Sequence, residues 1–272
     1  MNARAVAAWS GACLFIVLFT TNPAYKALVL AAAFAALAAG AGLSRMKRLL
    51  TGVVLIAGFD VALNFVSAHL GRTVLFSLPD NIPALGGPYT VEALVFGVSN
   101  GITIAAAILA AAAFSLLVSP HDVMAALPKV LSRTATAIAA SMNLVPSVAS
   151  SFTQVSEAQR MRGWRPRGPR SWAEVVVPVV LTSVEGSIQL AESMEARGFA
   201  SGPRTSMHSV QLNSTDWILV AASAIAVAMF TLAHIAGWAT DWYPYPSITM
   251  PDLDVRPLIA CCFLFTPAVL WR

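Results

Sequence analysis

Arg162 and Arg197 are the residues of this chain best suited to binding chemistry, because each stands in the same surroundings 35 residues apart. The run Gln154-x-x-Glu157-x-x-x-x-Arg162-Gly163-Trp164 returns as Gln189-x-x-Glu192-x-x-x-x-Arg197-Gly198-Phe199. Glycine just past a helix end readily takes the left-handed cap conformation, so each arginine is predicted in the last turn of a helix. There its charge also complements the negative end of the helix dipole. One Arg-Gly pair is simply a good helix stop. Two that share Gln, Glu, Arg, Gly and an aromatic at one spacing carry more than capping requires. A guanidinium fork grips a carboxylate through two parallel hydrogen bonds. A pair of such ends therefore suits a partner that offers one acidic socket twice, as a symmetric dimer does.

The other chemically able residues are more isolated. Asp60 lies in the middle of an apolar run with Asn64 four residues on, hence on the same helical face. An ionisable group at that depth reads as a proton relay or ion site. With no second charge expected in the neighbouring runs, a structural role, hydrogen-bonding across helices, is the preferred reading. His69, His121, His208 and His234 show no His-x-x-x-His spacing, and no metal ligand set is expected. Cys13, Cys261 and Cys262 fall in apolar runs and make no disulfide framework. No Gly-x-x-x-x-Gly-Lys-[Ser/Thr] loop occurs to cradle ATP phosphates, and no His-Glu-x-x-His helix.

The elements that must position these residues follow from composition. The 272 residues are 57% hydrophobic and only 11% charged, with a mean hydropathy of +0.72. A soluble domain carries about 25% charged residues, and a disordered chain is poor in apolar ones, so the fold class is an all-α integral membrane protein. Six apolar runs approach the roughly 20 residues that cross a bilayer as helix: 5–20, 27–43, 49–70, 91–118, 217–238 and 257–271. The first, second and sixth are short. Arg4 ahead of an apolar run resembles the start of a signal peptide, but the tight turn Asn22–Lys26 leads straight into the second run, and a retained helical hairpin is expected.

Charge placement orients the spans. Arg45, Lys47 and Arg48 crowd the link after the second run, and five arginines fall between Glu157 and Arg170. Asp241, Asp252 and Asp254 mark the last link, so the basic links are expected inside and the acidic one outside, with both termini inside. The net charge of +4 therefore reports topology and not a nucleic-acid partner. The organisation expected is 1–118 (four spans), 119–215 (a charged cytoplasmic region with the two Arg-Gly motifs) and 216–272 (two spans). Pro128, Pro146 and Pro178 start or kink helices in the middle region. The linker Arg162–Arg170 also has the make-up of a basic cluster that meets lipid headgroups.

Four segments now taken together, Ser119-Pro120-His121-Asp122-Val123-Met124-Ala125-Ala126-Leu127-Pro128, Leu144-Val145-Pro146, Glu157-Ala158-Gln159-Arg160-Met161-Arg162-Gly163 and Glu192-Ser193-Met194-Glu195-Ala196-Arg197-Gly198-Phe199, resemble the transmembrane T component of energy-coupling factor (ECF) transporters, the cobalt-transport permease family. The resemblance implies that Met161-Arg162-Gly163 and Ala196-Arg197-Gly198 close two coupling helices, each docking one of two ABC-type ATPase subunits. Met161 stands where the family usually has alanine. Glu157, Glu192, Trp164 and Phe199 are the expected supporting residues, the glutamates orienting the helix ends or pairing across them. The chain itself would hold no cofactor, ATP being bound by the ATPases, and would move a separate substrate-binding S component for vitamin or transition-metal uptake in a bacterial or archaeal plasma membrane. Gly97-x-x-x-Gly101 is a close-approach face, expected to meet another span of this chain in preference to the S component. The competing reading is a polytopic membrane enzyme or a secondary transporter using Asp60. A secondary transporter would show inverted repeats within the membrane, whereas the repeat here is in the charged region.

Overall fold

A computed structural model describes the chain except residues 1, 41–42, 69, 80–85, 127–131, 200, 202–211, 240 and 272, and except the side chains of 43–45, 132, 133, 135 and 169. His69, Pro128, His208 and Arg272, and the side chain of Arg45, thus lie outside the described residues. The chain divides into two compact units, Met1–Val123 with Gln211–Arg272, and Met124–Val210.

The first unit is a helical membrane body. It contains α1 (Ala3–Phe19), α2 (Pro23–Gly40), α3 (Leu43–Ser67), α4 (Val91–Leu117), α8 (Ser214–Ile235), α9 (Val255–Phe263) and α10 (Thr266–Leu270), with α4 packed against α1, α2 and α3. Lipid removes the hydrophobic drive between helices, so close packing of small side chains holds such a body together. Ala32, Ala33 and Ala36 of α2 and Ala105, Ala106, Ala110 and Ala113 of α4 are all buried in its core, with Trp9, Ile16 and Phe230 as the bulky fillers. The Trp9 indole N–H is satisfied by the Leu264 carbonyl at 2.9 Å.

Gly97 and Gly101 form the face that meets α3. A Cβ on Gly97 would lie 3.0 Å from Asn64 Cβ and 3.2 Å from the Val61 backbone, and one on Gly101 would lie 3.2 Å from the Ala57 carbonyl. The close approach is therefore to a span of the same chain. Gly97→Val is expected to destabilise the body by about 1–3 kcal/mol, the usual cost of overpacking, seen as a lower melting temperature in detergent. Gly58→Ala meets open space and should leave that temperature unchanged or raise it.

Two expected spans need correction. The second helix begins at Pro23, four residues before the apolar run, because proline suits a first turn whose N–H has no partner anyway. The Asn22 side chain accepts from the Ala24 N–H at 3.0 Å, and Lys26 falls inside the helix instead of in a turn. The last span is not one helix: it breaks between α9 and α10. Pro267 has no N–H to give the Phe263 carbonyl four residues back, and its ring clashes there; the Thr266 hydroxyl donates to that carbonyl instead.

Between α3 and α4 stands a two-stranded antiparallel hairpin, β1 (Val74–Leu78) and β2 (Gly87–Thr90). Glu92, in the first turn of α4, ties it down. Its carboxylate accepts from the Thr73 N–H (3.0 Å), the Thr73 hydroxyl (2.9 Å) and the Arg72 N–H (3.2 Å). Gly71, at φ +142°, leaves room for it: a Cβ there would sit 2.6 Å from Glu92 Oε2.

The second unit is built on α6 (Ser132–Met161) and α7 (Ala173–Ala196), joined through a 3-10 turn at Pro169–Trp172. The preceding α5 (Pro120–Ala126) starts with a reciprocal box in which the Ser119 hydroxyl donates to Asp122 at 2.7 Å and the Asp122 N–H donates to Ser119 Oγ. That hydroxyl holds the Asp122 carboxyl below its ordinary value. A depressed carboxyl stabilises the fold above its unfolded value and loses that contribution as pH falls through the folded one, so the α5 start holds at neutral pH.

Among the described residues, five segments are long and apolar enough to cross a membrane: 23–40, 46–67, 91–117, 170–196 and 214–235. Ala3–Phe19 and Val255–Leu270 are apolar but shorter. The protein is a multi-pass, all-α membrane protein. The segment 170–196 was expected among the cytoplasmic helices on the charge of its surroundings. Its own sequence is apolar because Val175, Val176, Val177, Val179 and Val180 precede the glutamates of its second half.

Candidate functional site: two arginine-tipped helix ends

Both Arg-Gly ends adopt one backbone geometry. At the end of α6 the Gly163 N–H donates to the Arg160 carbonyl (3.0 Å) and the Trp164 N–H to the Gln159 carbonyl (2.9 Å). At the end of α7 the Gly198 N–H donates to Glu195 (2.8 Å) and the Phe199 N–H to Met194 (2.9 Å). This pair of bonds is the Schellman cap, and it requires a positive φ at the glycine; Gly163 has φ +86° and Gly198 φ +75°. Alanine at Gly198 would pay the left-handed cost of about 1–2 kcal/mol and would also bring a Cβ within 3.1 Å of Ser201 Oγ. Faster amide exchange at Phe199 and Ser201 in Gly198→Ala is the expected outcome.

A third helix end separates the cap from the arginine. Gly237, at φ +73°, closes α8 with the same two bonds, Gly237 N–H to His234 and Trp238 N–H to Ala233. Its cap position holds Ala236. The glycine and the aromatic therefore suffice to stop a helix, and the arginines of the other two copies are not needed for it.

What those arginines do within the chain is little. Arg162 and Arg197 are exposed, and so are Met161, Gly163, Ala196 and Gly198; Met161 is 84% accessible. Among the described residues no ion pair joins either arginine to a carboxylate. Glu157 and Glu192, expected to orient the helix ends or pair across them, are exposed as well. Five residues of helix turn by about 140°, so each glutamate faces away from the arginine that shares its repeat.

The two copies differ in their aromatic. Trp164 is buried and packs with Phe152 and Val155 of α6 and Val175 and Val179 of α7. Its indole N–H reaches the Ser171 carbonyl at 2.9 Å and its ring meets Trp172 edge-on at 5.3 Å. Phe199 is 46% exposed and packs into no such cluster among the described residues. Trp164 thus fixes the crossing of α6 and α7, while Phe199 is surface beside Arg197. A proline strengthens the same crossing: Pro178 cannot donate to Glu174, and the Gln159 amide of α6 fills that carbonyl at 3.3 Å.

Because the first tip is pinned to the start of α7 and the second is its C-terminus, the two arginines lie at opposite ends of a 24-residue helix. At 1.5 Å per residue that is about 36 Å. Between them α7 shows an apolar face, with Val177, Val180, Leu181, Val184 and Ile188 all exposed.

Asp60 sits apart from this arrangement. Its Oδ2 is buried without a hydrogen-bond partner, and the Asn64 amide donates to the Asp60 backbone carbonyl at 3.0 Å instead of to its carboxylate. The cross-helix bond expected of this oxygen is absent among the described residues. The expectation that no other charge enters the neighbouring spans is also corrected. Lys26 and Glu92 are both buried in helices, Lys26 Nζ donating to Ser99 Oγ of α4 at 3.3 Å. A charged letter at the edge of each apolar run was the signal for them. No group of three or more His, Cys, Asp or Glu among the described residues could hold a metal ion.

The apolar helices of this body define a multi-pass membrane protein. The family model for the cobalt transport protein CbiQ matches residues 1–208, and the chain belongs to that family. No curated protein matches the chain.

Proposed function

We propose that this protein is the energy-coupling T component of an ECF-type importer, itself non-catalytic, that passes the ATP-driven movement of two ATPase subunits to a substrate-binding S component. The observation that carries the reading is the pair of helix ends with one backbone geometry whose arginines are exposed, without an ion pair among the described residues and unnecessary for capping. A fork left free at such a place suits a carboxylate on another protein. Two of them, about 36 Å apart along one helix, suit the two halves of an ATPase dimer. As those halves close on ATP they would pull on both ends of α7. The apolar face between the tips is the surface on which a membrane-embedded S component would rest, so movement of α7 would tilt it. Cargo selection belongs to that S component, with a transition metal or a vitamin as the classes it would carry.

Purification of the tagged chain from its native membranes in mild detergent tests this. Two ATPase subunits and one small hydrophobic membrane protein should accompany it, and substrate uptake should require ATP. Uptake by the chain alone, driven by an ion gradient, would overturn the proposal. In that experiment Asp60→Asn is expected to transport at near-normal rate; loss of uptake with assembly intact would move the function to the membrane interior.

A further inference from the structure

The loop that joins the two coupling helices carries three arginines that the repeat does not explain. Arg165, Arg167 and Arg170 follow the first tip, whereas the second Arg-Gly end continues as Phe199-Ala-Ser-Gly-Pro-Arg204, with one basic residue. All three are exposed and, like Arg160 and Arg162, form no ion pair among the described residues. Five guanidinium groups within 11 residues make a concentrated positive patch, which attracts an anionic surface.

The loop is also held in shape. Ser171 is its knot: its hydroxyl donates to the Gly168 carbonyl at 2.8 Å and accepts from the Arg167 N–H at 2.9 Å, while its carbonyl takes the Trp164 indole. Gly168 turns the chain at φ +84°, and Pro166 and Pro169 stiffen it. The arginines are thus presented from a fixed backbone.

After Arg170 and Ser171 comes Trp172, 37% exposed, and then the apolar valine run of α7, whose side is open from Val176 to Ile188. Basic residues, then a tryptophan, then a helix with one open apolar face is the make-up of a segment that lies in the headgroup layer. The acidic face of an ATPase would account for Arg162 but not for arginines leading into an apolar helix.

We propose that Arg165, Arg167 and Arg170 form an anchor for anionic phospholipid headgroups, which holds the first coupling tip against the membrane surface while the second is left free. The anchor makes the two tips unequal: the first is a fixed pivot and the second the moving end. This stands whether or not the tips dock ATPases, since it rests on the loop and the helix it leads into.

The test uses the full chain reconstituted in phosphatidylcholine, with brominated phosphatidylglycerol or brominated phosphatidylcholine as the probe. The readout is the part of tryptophan quenching that disappears in Trp172→Phe. In the wild type, brominated phosphatidylglycerol should be preferred at that position by at least roughly tenfold, since each arginine near an anionic surface contributes a comparable step in affinity. The preference should collapse in 0.5 M salt and vanish in the triple variant R165Q/R167Q/R170Q. Equal quenching by the two lipids overturns the proposal, and so does a preference that the triple variant keeps. If the triple variant loses its co-purifying ATPase instead, with lipid preference unchanged, the arginines are a protein contact and the anchor is wrong. Helical circular dichroism and Gln159→Ala, which loosens the helix crossing without touching the arginines, serve as controls for a disturbed fold.

Discussion

Charge reversal at both tips, Arg162→Glu with Arg197→Glu, is expected to leave the chain folded in the membrane and to strip it of its ATPase subunits. The fold should tolerate the change because neither side chain has a partner within the chain among the described residues and both are exposed. The adverse helix-dipole contact costs about 0.3–1 kcal/mol at each end. Binding should suffer far more: breaking one hydrogen-bonded charge pair at an interface costs about 2–5 kcal/mol, or roughly 30- to 4000-fold in affinity. Two tips acting on one dimer also share an effective concentration, so losing both removes more than either alone. Co-purification should fall below detection and ATP-driven uptake should stop. Arg→Lys at either position keeps the charge and loses the fork, and should weaken association by about tenfold at that tip.

The second large effect is expected at Trp164. Its substitution by alanine opens a void among Phe152, Val155, Val175 and Val179 and leaves the Ser171 carbonyl without its donor. Truncating a buried aromatic costs about 3–5 kcal/mol, which in the small α6–α7 unit is a large share of what holds the crossing. Amide exchange across 152–160 and 172–180 should accelerate by roughly two orders of magnitude or more. Phe199→Ala at the equivalent position in the second copy should leave exchange in α7 unchanged and weaken only ATPase association. The same letter pattern, Gly followed by an aromatic, is thus expected to give a folding defect in one copy and a docking defect in the other.

That contrast also shows how far the sequence could be read. The membrane class followed from composition, and the caps at Gly163 and Gly198 from the capping preference of glycine, since both are set by local chemistry. The fates of Trp164 and Phe199 were not local. Trp164 is buried only because the loop 165–171 folds back and presents Ser171 and Trp172, a tertiary fact that the repeat conceals. The break at Phe263–Thr266 and the early start of α2 at Pro23 each turn on one proline, whose effect depends on its position within a helix that periodicity alone did not delimit. Lys26 and Glu92 each sit at the edge of an apolar run, where a charge has the look of a loop residue although the helix continues through it. Asp60 is plain in the sequence as a mid-span carboxylate, but its lack of a cross-helix bond among the described residues depends on packing that the sequence does not spell out.

The central claim, that both helix ends meet ATPases, is tested most directly by photocrosslinking in intact membranes. A photoreactive phenylalanine analogue in place of Met161, and separately in place of Phe199, stands next to Arg162 and Arg197 at positions the fold leaves exposed. Each should give a covalent adduct with an ATPase subunit, through the same surface of that subunit in both cases. Adducts from neither position, in a complex that still imports its substrate, would contradict it.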